Sequence, residues 1–193
     1  MTDYIKNFKI SNEDNILNIN TEKLYREAED DFFYFNKPKR AEKKLKEALN
    51  HTPCQIKVLK FLGDICFSSG KMERAFDYYA QAAALKPSDA VILASLASVS
   101  EVLGKYETAL KFVDLAFQNL LPADVRIYAS LSNLKISLLV ELQRYSEAKT
   151  FLDLAQKRLS FEESGRLSSV NQNILKKKLA LKERMKKLNI KVV

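Results

Sequence analysis

The side chains that most often carry metal or acid–base chemistry are scarce in this chain, which has one histidine, His51, and two cysteines, Cys54 and Cys66. A structural zinc site needs about four His or Cys ligands at short spacings, and these three residues do not provide them. No nucleophile motif of the kind found in acyl-transfer enzymes surrounds His51. The sequence therefore predicts neither a metal site nor a catalytic triad.

Phosphate-binding loops are also missing from the sequence. The four glycines, at positions 63, 70, 104 and 165, are too far apart to form a Gly-rich loop. Carboxylate doublets occur at Asp30-Asp31 and Glu162-Glu163, and such doublets are typical of a solvated helix face. We therefore expect no cofactor and a protein that is not an enzyme.

The elements that position any binding residues are predicted to be helices. The chain has 193 residues, of which 47% are hydrophobic and 29% are charged, which is enough to bury a core. Only 4 Gly and 4 Pro are present, whereas an all-β chain of this length needs many more turn residues. This composition favours an all-α fold.

The compartment is inferred from the apolar runs and the cysteine count. No run approaches the ~18 apolar residues that cross a bilayer. Charged residues interrupt the first 20 positions, so this stretch does not read as a signal peptide. Two cysteines are too few for a disulfide framework in a chain of this length. We expect a soluble, cytoplasmic protein with reduced thiols.

A period of 34 residues organises the middle of the sequence. Residues 70–75 (GKMERA) align with residues 104–109 (GKYETA), and the same shift relates Pro53 to Pro87. One period upstream of Ala75 lies Ala41, which extends the pattern toward the N-terminus. A fourth copy, RYSEA at 144–148, follows after 39 residues, which adds about one helical turn. Such a period indicates stacked repeats.

This pattern resembles the tetratricopeptide repeat (TPR) family, whose unit is a helix–turn–helix of 34 residues with small residues at fixed positions and a closing proline. Residues 56–89 match most fully, and residues 90–123 have Val113 where the family has an aromatic residue. The first unit, at about 22–55, has Glu29 where a small residue is expected, and the fourth, at about 124–160, has a longer first helix.

The resemblance implies an all-α, right-handed TPR superhelix (α-solenoid) of about four helix–turn–helix repeats with a C-terminal capping helix. It places the array at 21–160. Residues 1–20 are expected to form an irregular N-terminal arm, and residues 161–193 a basic C-terminal capping helix and tail.

Helix packing explains the same pattern independently. Two helices of a hairpin approach closely only where the residues in contact are small. The small residues predicted at these contacts are Gly63, Ala75, Ala82, Ala97, Ala109 and Ala116. Gly70 and Gly104 are predicted to end first helices in the left-handed conformation.

The tail carries the whole net charge of +8, because residues 166–193 hold nine Lys or Arg and one acid, Glu183. An apolar stripe that includes Ile174 and Leu181 suits a helix that covers the end of the array. A second interpretation is a basic amphipathic helix that binds nucleic acid or an acidic membrane. The candidate basic patch comprises Lys176, Lys177, Lys178, Lys182, Lys186 and Lys187.

In a TPR array the first helices of the units line a concave groove, and the resemblance assigns a candidate peptide-binding surface to it. This groove is charged toward the N-terminus and small and neutral toward the other end, which suits a bound helix or extended segment. The candidate groove residues are Arg26, Asp30, Lys57, Lys60, Asp64, Val91, Ala94, Ser98, Asn133 and Ser137.

The predicted function is a non-enzymatic scaffold or adaptor with a protein or peptide partner. The carboxylate clamp known in the family is not expected, since Asp30 and Asp64 stand where it has Asn. The alternatives are a nucleic-acid or acidic-membrane binder acting through the tail, a TPR-type chaperone of secreted proteins, and a self-associating protein.

Overall fold

The computed structural model describes residues 12–49, 55–121 and 123–158 together with 176, 179, 180 and 183, with side chains from residue 20 onward. The part within 12–158 contains α helices, one π-helical turn (Asp30–Tyr34) and no strand. The all-α prediction is confirmed for this part of the chain. The helices are α1 (Asn12–Glu29), α2 (Pro38–Leu49), α3 (Gln55–Ser68), α4 (Met72–Leu85), α5 (Ala90–Val102), α6 (Tyr106–Gln118), α7 (Val125–Glu141) and α8 (Tyr145–Arg158).

The chain divides into two compact units, Met1–Lys86 and Pro87–Val193, here called the N-terminal unit and the C-terminal unit. In the N-terminal unit α1 packs on α2 and α3 packs on α4. One apolar cluster joins the two hairpins, because α2 contributes Leu45 and α3 contributes Leu62 and Ile65. Neither hairpin alone could remove these side chains from water, so each depends on its neighbour.

The C-terminal unit repeats this arrangement with α5 on α6 and α7 on α8. Its cluster combines Leu93 and Ala97 of α5 with Val113 of α6 and with Ile136 and Leu139 of α7. Most of these side chains have almost no exposed surface. None of the described helices is long and apolar enough to cross a bilayer.

Small residues lie at the helix contacts, as the sequence predicted. Ala75, Ala97 and Ala109 have no exposed surface. A close approach occurs at Gly63, where a Cβ atom would lie 2.5 Å from Cε1 of Tyr79 on α4. That distance is shorter than van der Waals contact, so α3 and α4 can pack this way only with glycine at position 63.

Each first helix ends in a residue with left-handed backbone geometry. Gly70 (φ 72°) and Gly104 (φ 70°) do so as predicted, and Asn36 (φ 49°) and Gln143 (φ 58°) take the same place in the first and fourth hairpins. Each of the four residues lies five positions before the first buried alanine of the following helix. Left-handed geometry strains a residue with a Cβ atom, and Gln is not among the types that tolerate it.

Gln143→Gly is therefore expected to stabilise the protein. Removing the Cβ relieves a strain of about 1–2 kcal/mol, and the extra freedom of glycine in the unfolded chain offsets part of it, which leaves a gain of about 0.5–1 kcal/mol. Gln156→Gly, at an exposed helical position of α8, should instead cost about 1 kcal/mol. Urea unfolding of both variants tests this, and loss of stability in both would contradict it.

The first hairpin departs from two sequence-based expectations. Helix α1 begins at Asn12, so residues 12–20 are helical rather than irregular, and the acids Glu13 and Asp14 in its first turn favour a helix start there. The small contact residue is Ala28, which is fully buried, and not Glu29, which is half-buried. The π-helical turn that follows holds one additional residue, so the 34-residue alignment is displaced by one position.

At the C-terminal end of the array, the structure tests part of what the sequence predicts. Helix α7 has 17 residues against 13 in α5, which accommodates the longer fourth repeat. Most of the predicted capping helix lies outside the described residues. Of those described, Leu179 is half-buried and packs against the cluster of the C-terminal unit, whereas Lys176 is exposed.

Candidate functional site

The predicted neutral groove residues of the C-terminal unit lie on two neighbouring helices. Helix α5 begins where the Asp89 carboxylate accepts hydrogen bonds from the backbone N–H groups of Val91 (3.1 Å) and Ile92 (3.3 Å), a side-chain cap that fixes the helix start. Helix α5 contacts α7. The small-residue face consists of Val91, Ala94 and Ser98 on α5 and Asn133 and Ser137 on α7.

The small-residue face has no charge and few polar groups that lack a hydrogen-bond partner. Val91 is 40% exposed, and the other four residues are half-buried. The Ser98 hydroxyl donates to the carbonyl of Ala94 (3.0 Å), and the Ser95 hydroxyl beside it donates to the carbonyl of Val91 (3.1 Å). Since these hydroxyls are satisfied by their own helix, an apolar side chain can lie on them without leaving a donor unpaired.

Two of the predicted charged residues of the N-terminal unit, Lys60 and Asp64, pair with each other. The Asp64 carboxylate lies 2.8 Å from Lys60 Nζ and accepts a 2.6 Å hydrogen bond from the Tyr79 hydroxyl. Lys57 Nζ lies 4.0 Å from Glu22 Oε1, while Arg26 and Asp30 are exposed. The positive charge of Lys60 is therefore balanced locally, which argues against its use in a carboxylate clamp.

An ion-pair cluster that sequence reasoning missed lies under the α1–α2 turn. The Asp31 side chain is only 5% exposed and its carboxylate is 2.9 Å from Lys44 Nζ, which also lies 3.0 Å from Glu27 Oε2. The hydrogen bond from Lys44 holds the pKa of Asp31 below its usual range despite burial. The interpretation of Asp30-Asp31 as a solvated doublet is thus wrong for Asp31, because the π-helical turn directs it inward.

A second cluster ties α2 to α4. The Glu42 carboxylate lies 2.9 Å from Lys46 Nζ and 2.6 Å from a guanidinium nitrogen of Arg74, and its side chain is 12% exposed. The hydrogen bonds from Lys46 and Arg74 lower the pKa of Glu42 to about 2. Both clusters join neighbouring elements of one unit, which is typical of structural ion pairs.

Acid is expected to weaken the Glu42 cluster. Because the pKa of Glu42 is lower in the folded protein than its ordinary 4.5, the stabilisation is complete above about pH 4.5 and is lost as the pH falls toward 2. The shift corresponds to about 3 kcal/mol. In urea unfolding, Glu42→Gln should lose less stability across this range than wild type, whereas Glu47→Gln, exposed on the same helix, should behave as wild type. Equal acid losses in Glu42→Gln and wild type would contradict the assignment.

The described residues hold no group of three or more His, Cys, Asp or Glu side chains arranged for a metal ion. Cys66 is a buried free cysteine, and burial raises the pKa of its thiol. A buried, protonated thiol is a poor nucleophile, so Cys66 is most simply a small core residue.

The C-terminal unit also has an open pocket of about 360 Å³ between α7 and α8. On its wall Lys135 Nζ lies 2.6 Å from Asp114 Oδ1 and 4.8 Å from the ring centre of Phe151. Sequence reasoning did not identify this pocket, because no motif marks residues that meet only through helix packing. With its cation already paired and covered by a ring, it offers no evident reactive group.

No family model and no curated protein sequence matches the chain. Solved structures do. A tetratricopeptide repeat protein from Parabacteroides merdae superposes with a TM-score of 0.71 at 24% identity, over 84% of this chain and 61% of the other. The chain has the tetratricopeptide repeat fold. The sequence resemblance to the TPR family is confirmed at the level of the fold.

Two further TPR structures are similar to this chain. PilF of Pseudomonas aeruginosa has a TM-score of 0.62 at 18% identity, over 86% of this chain and 76% of that one. The first TPR domain of Spaghetti (RPAP3), solved with the HSP90 peptide SRMEEVD, has a TM-score of 0.50 at 24% identity, over 62% and 93%. The chain thus spans less than two thirds of the Parabacteroides protein but most of these two.

Proposed function

We propose that this TPR chain is a non-enzymatic scaffold that binds a peptide or protein segment on the outward faces of its first helices. The observation that carries the proposal is the small-residue face of α5 and α7, which is uncharged, has the Ser98 hydroxyl satisfied by its own helix and leaves Val91 40% exposed. The RPAP3 domain with a bound peptide supports peptide binding as a use of this fold.

The chemistry of the face favours a ligand with small or apolar contact residues. A helix or extended strand can approach closely where the floor is Ala and Ser, because no long side chain stands between the two backbones. A ligand that depends on a terminal carboxylate is disfavoured in the N-terminal unit, where Asp64 balances Lys60 at 2.8 Å. Within the N-terminal unit, Arg26, Asp30 and Lys57 would contribute charge pairing to a ligand.

Ala94→Glu with Ser98→Arg is expected to abolish ligand binding without unfolding the protein. The two new side chains fill the small-residue face, add no net charge and lie at (i, i+4), where opposite charges support a helix. Ala94 also packs against the apolar cluster of the C-terminal unit, so the melting temperature of the variant is measured beside its affinity, and only a loss of affinity in a folded variant supports the proposal. Affinity capture with wild type and variant, followed by calorimetry on the captured ligand, measures the loss.

The matched control is Thr108→Glu with Gln118→Arg, which adds the same two side chains at exposed positions of α6. It should retain every ligand and the wild-type melting temperature. If the α5 variant also retains every ligand at an unchanged melting temperature, the small-residue face is not the binding surface and the proposal fails.

The basic C-terminal helix is the alternative binding surface. Leu179 packs against the C-terminal unit while Lys176 is exposed, which is the orientation that binding of nucleic acid or an acidic membrane requires. Lys177, Lys178, Lys182, Lys186 and Lys187 lie outside the described residues. This alternative and the groove are compatible, since they use different surfaces.

A further inference from the structure

The turn between α1 and α2 exposes three consecutive aromatic side chains. Phe33, Tyr34 and Phe35, here called the aromatic turn, are 67%, 81% and 60% exposed. Single exposed apolar residues are common on protein surfaces, but a contiguous group usually marks an interaction site. Nothing in the proposed groove function requires these rings.

The fold holds these rings outward. The π-helical turn directs Asp31 inward to Lys44 (2.9 Å), and the Lys37 N–H donates to the Asp31 carbonyl (2.6 Å). Phe32, within the same turn, packs inward with its ring edge-on to Phe61 (5.6 Å). Within this π-helical turn, Asp31 and Phe32 therefore pack inward while Phe33 and Tyr34 are exposed. Such turns often occur at functional sites.

Cations surround the aromatic turn. Residues 33–46 contain six Lys or Arg and one acid, Glu42, and Glu42 is turned toward α4 by Arg74. Lys37 lies 5.3 Å over the ring of Phe35, and Arg40 is 61% exposed although its Nε lies 3.6 Å from Asp31 Oδ1. Lys39 and Lys43 are exposed and form no ion pair with any described residue. These four residues, Lys37, Lys39, Arg40 and Lys43, form the basic rim.

We propose that the aromatic turn and basic rim dock the protein on an anionic lipid surface, with the three rings among the headgroups and the cations on lipid phosphates. Aromatic rings favour the boundary between water and hydrocarbon, and each cation near an anionic leaflet adds attraction. The surface lies at the turn of a helical hairpin, between α1 and α2.

Other occupants fit the contacts less well. A second copy in a symmetric interface would bring the basic rim against itself, which like charges oppose. A single-stranded nucleic acid would need open ring faces for base stacking, but one face of Phe33 lies parallel to Phe61 (7°, 5.8 Å) and Lys37 covers Phe35. A membrane needs only the exposed parts of the rings.

Vesicle flotation with the full chain tests the proposal. Wild type should float with vesicles of equimolar phosphatidylserine and phosphatidylcholine and not with phosphatidylcholine alone. Tyr34→Ser with Phe35→Ser should weaken binding about tenfold or more, and Lys37→Gln, Lys39→Gln and Lys43→Gln together about a hundredfold. Phe33 is left unchanged in these variants, because its contact with Phe61 contributes to the core.

The matched controls make substitutions of the same kinds in the C-terminal unit instead of in the aromatic turn and basic rim. Leu121→Ser with Leu154→Ser removes two exposed apolar residues, and Lys111→Gln, Lys149→Gln and Lys157→Gln remove three exposed lysines. Both should bind as wild type. Lys176→Gln, Lys177→Gln and Lys178→Gln test the tail in the same assay, and binding lost only in this variant overturns the proposal.

A fluorescent reporter gives a direct measure of insertion, because the chain has no tryptophan. The emission of Tyr34→Trp should shift to shorter wavelength with anionic vesicles, and that of Leu121→Trp should not. The proposal is overturned if wild type ignores anionic vesicles, if the turn variants bind as wild type, or if the chain binds a single-stranded oligonucleotide or acidic peptide instead. Groove variants should still bind vesicles, so this result is separate from the proposed function.

Discussion

Helices α3 and α4 pack as closely as they do because Gly63 has no side chain where the ring of Tyr79 passes. Interior atoms are packed at crystal-like density, so the two positions share one volume. Tyr79 is almost fully buried and its hydroxyl donates to Asp64, and it cannot move aside. One repeat further on, Ala97 stands at the position of Gly63 and Val113 at that of Tyr79. In this next repeat the first helix has the larger residue, alanine instead of glycine, and the second helix has the smaller one, valine instead of tyrosine.

This constraint also determines which faces of the first helices pack inward. In α5 the residues that pack inward are Leu93 and Ala97. With 3.6 residues per turn, Val91 and Ser98 fall on another face of the same helix, and Ala94, which also packs against the cluster, lies between the two faces. Close packing of the first helices against the second ones therefore leaves a regular row of outward positions. Small residues occupy that row in the C-terminal unit, and paired charges such as Lys60 and Asp64 occupy it in the N-terminal unit.

The repeat period predicted the hairpins, the small contact residues and the turns at Gly70 and Gly104, because each depends on a residue type at a fixed spacing. It did not predict Gln143 in left-handed geometry, since glutamine is not a residue type that favours this geometry. The contact at Ala28 instead of Glu29 depends on a π-helical turn that no residue type marks. Burial of Asp31 follows from the same turn, and its partner Lys44 is remote in sequence.

The shared volume at positions 63 and 79 is measured most directly by a double-mutant cycle with Gly63→Ala and Tyr79→Val, followed by urea unfolding. With Tyr79 present, Gly63→Ala should destabilise the protein by about 1–3 kcal/mol, because the methyl group is forced into the ring. In the Tyr79→Val background the same change should stabilise it by up to about 1 kcal/mol, since alanine favours the helix more than glycine. The same sign and size in both backgrounds would contradict the account.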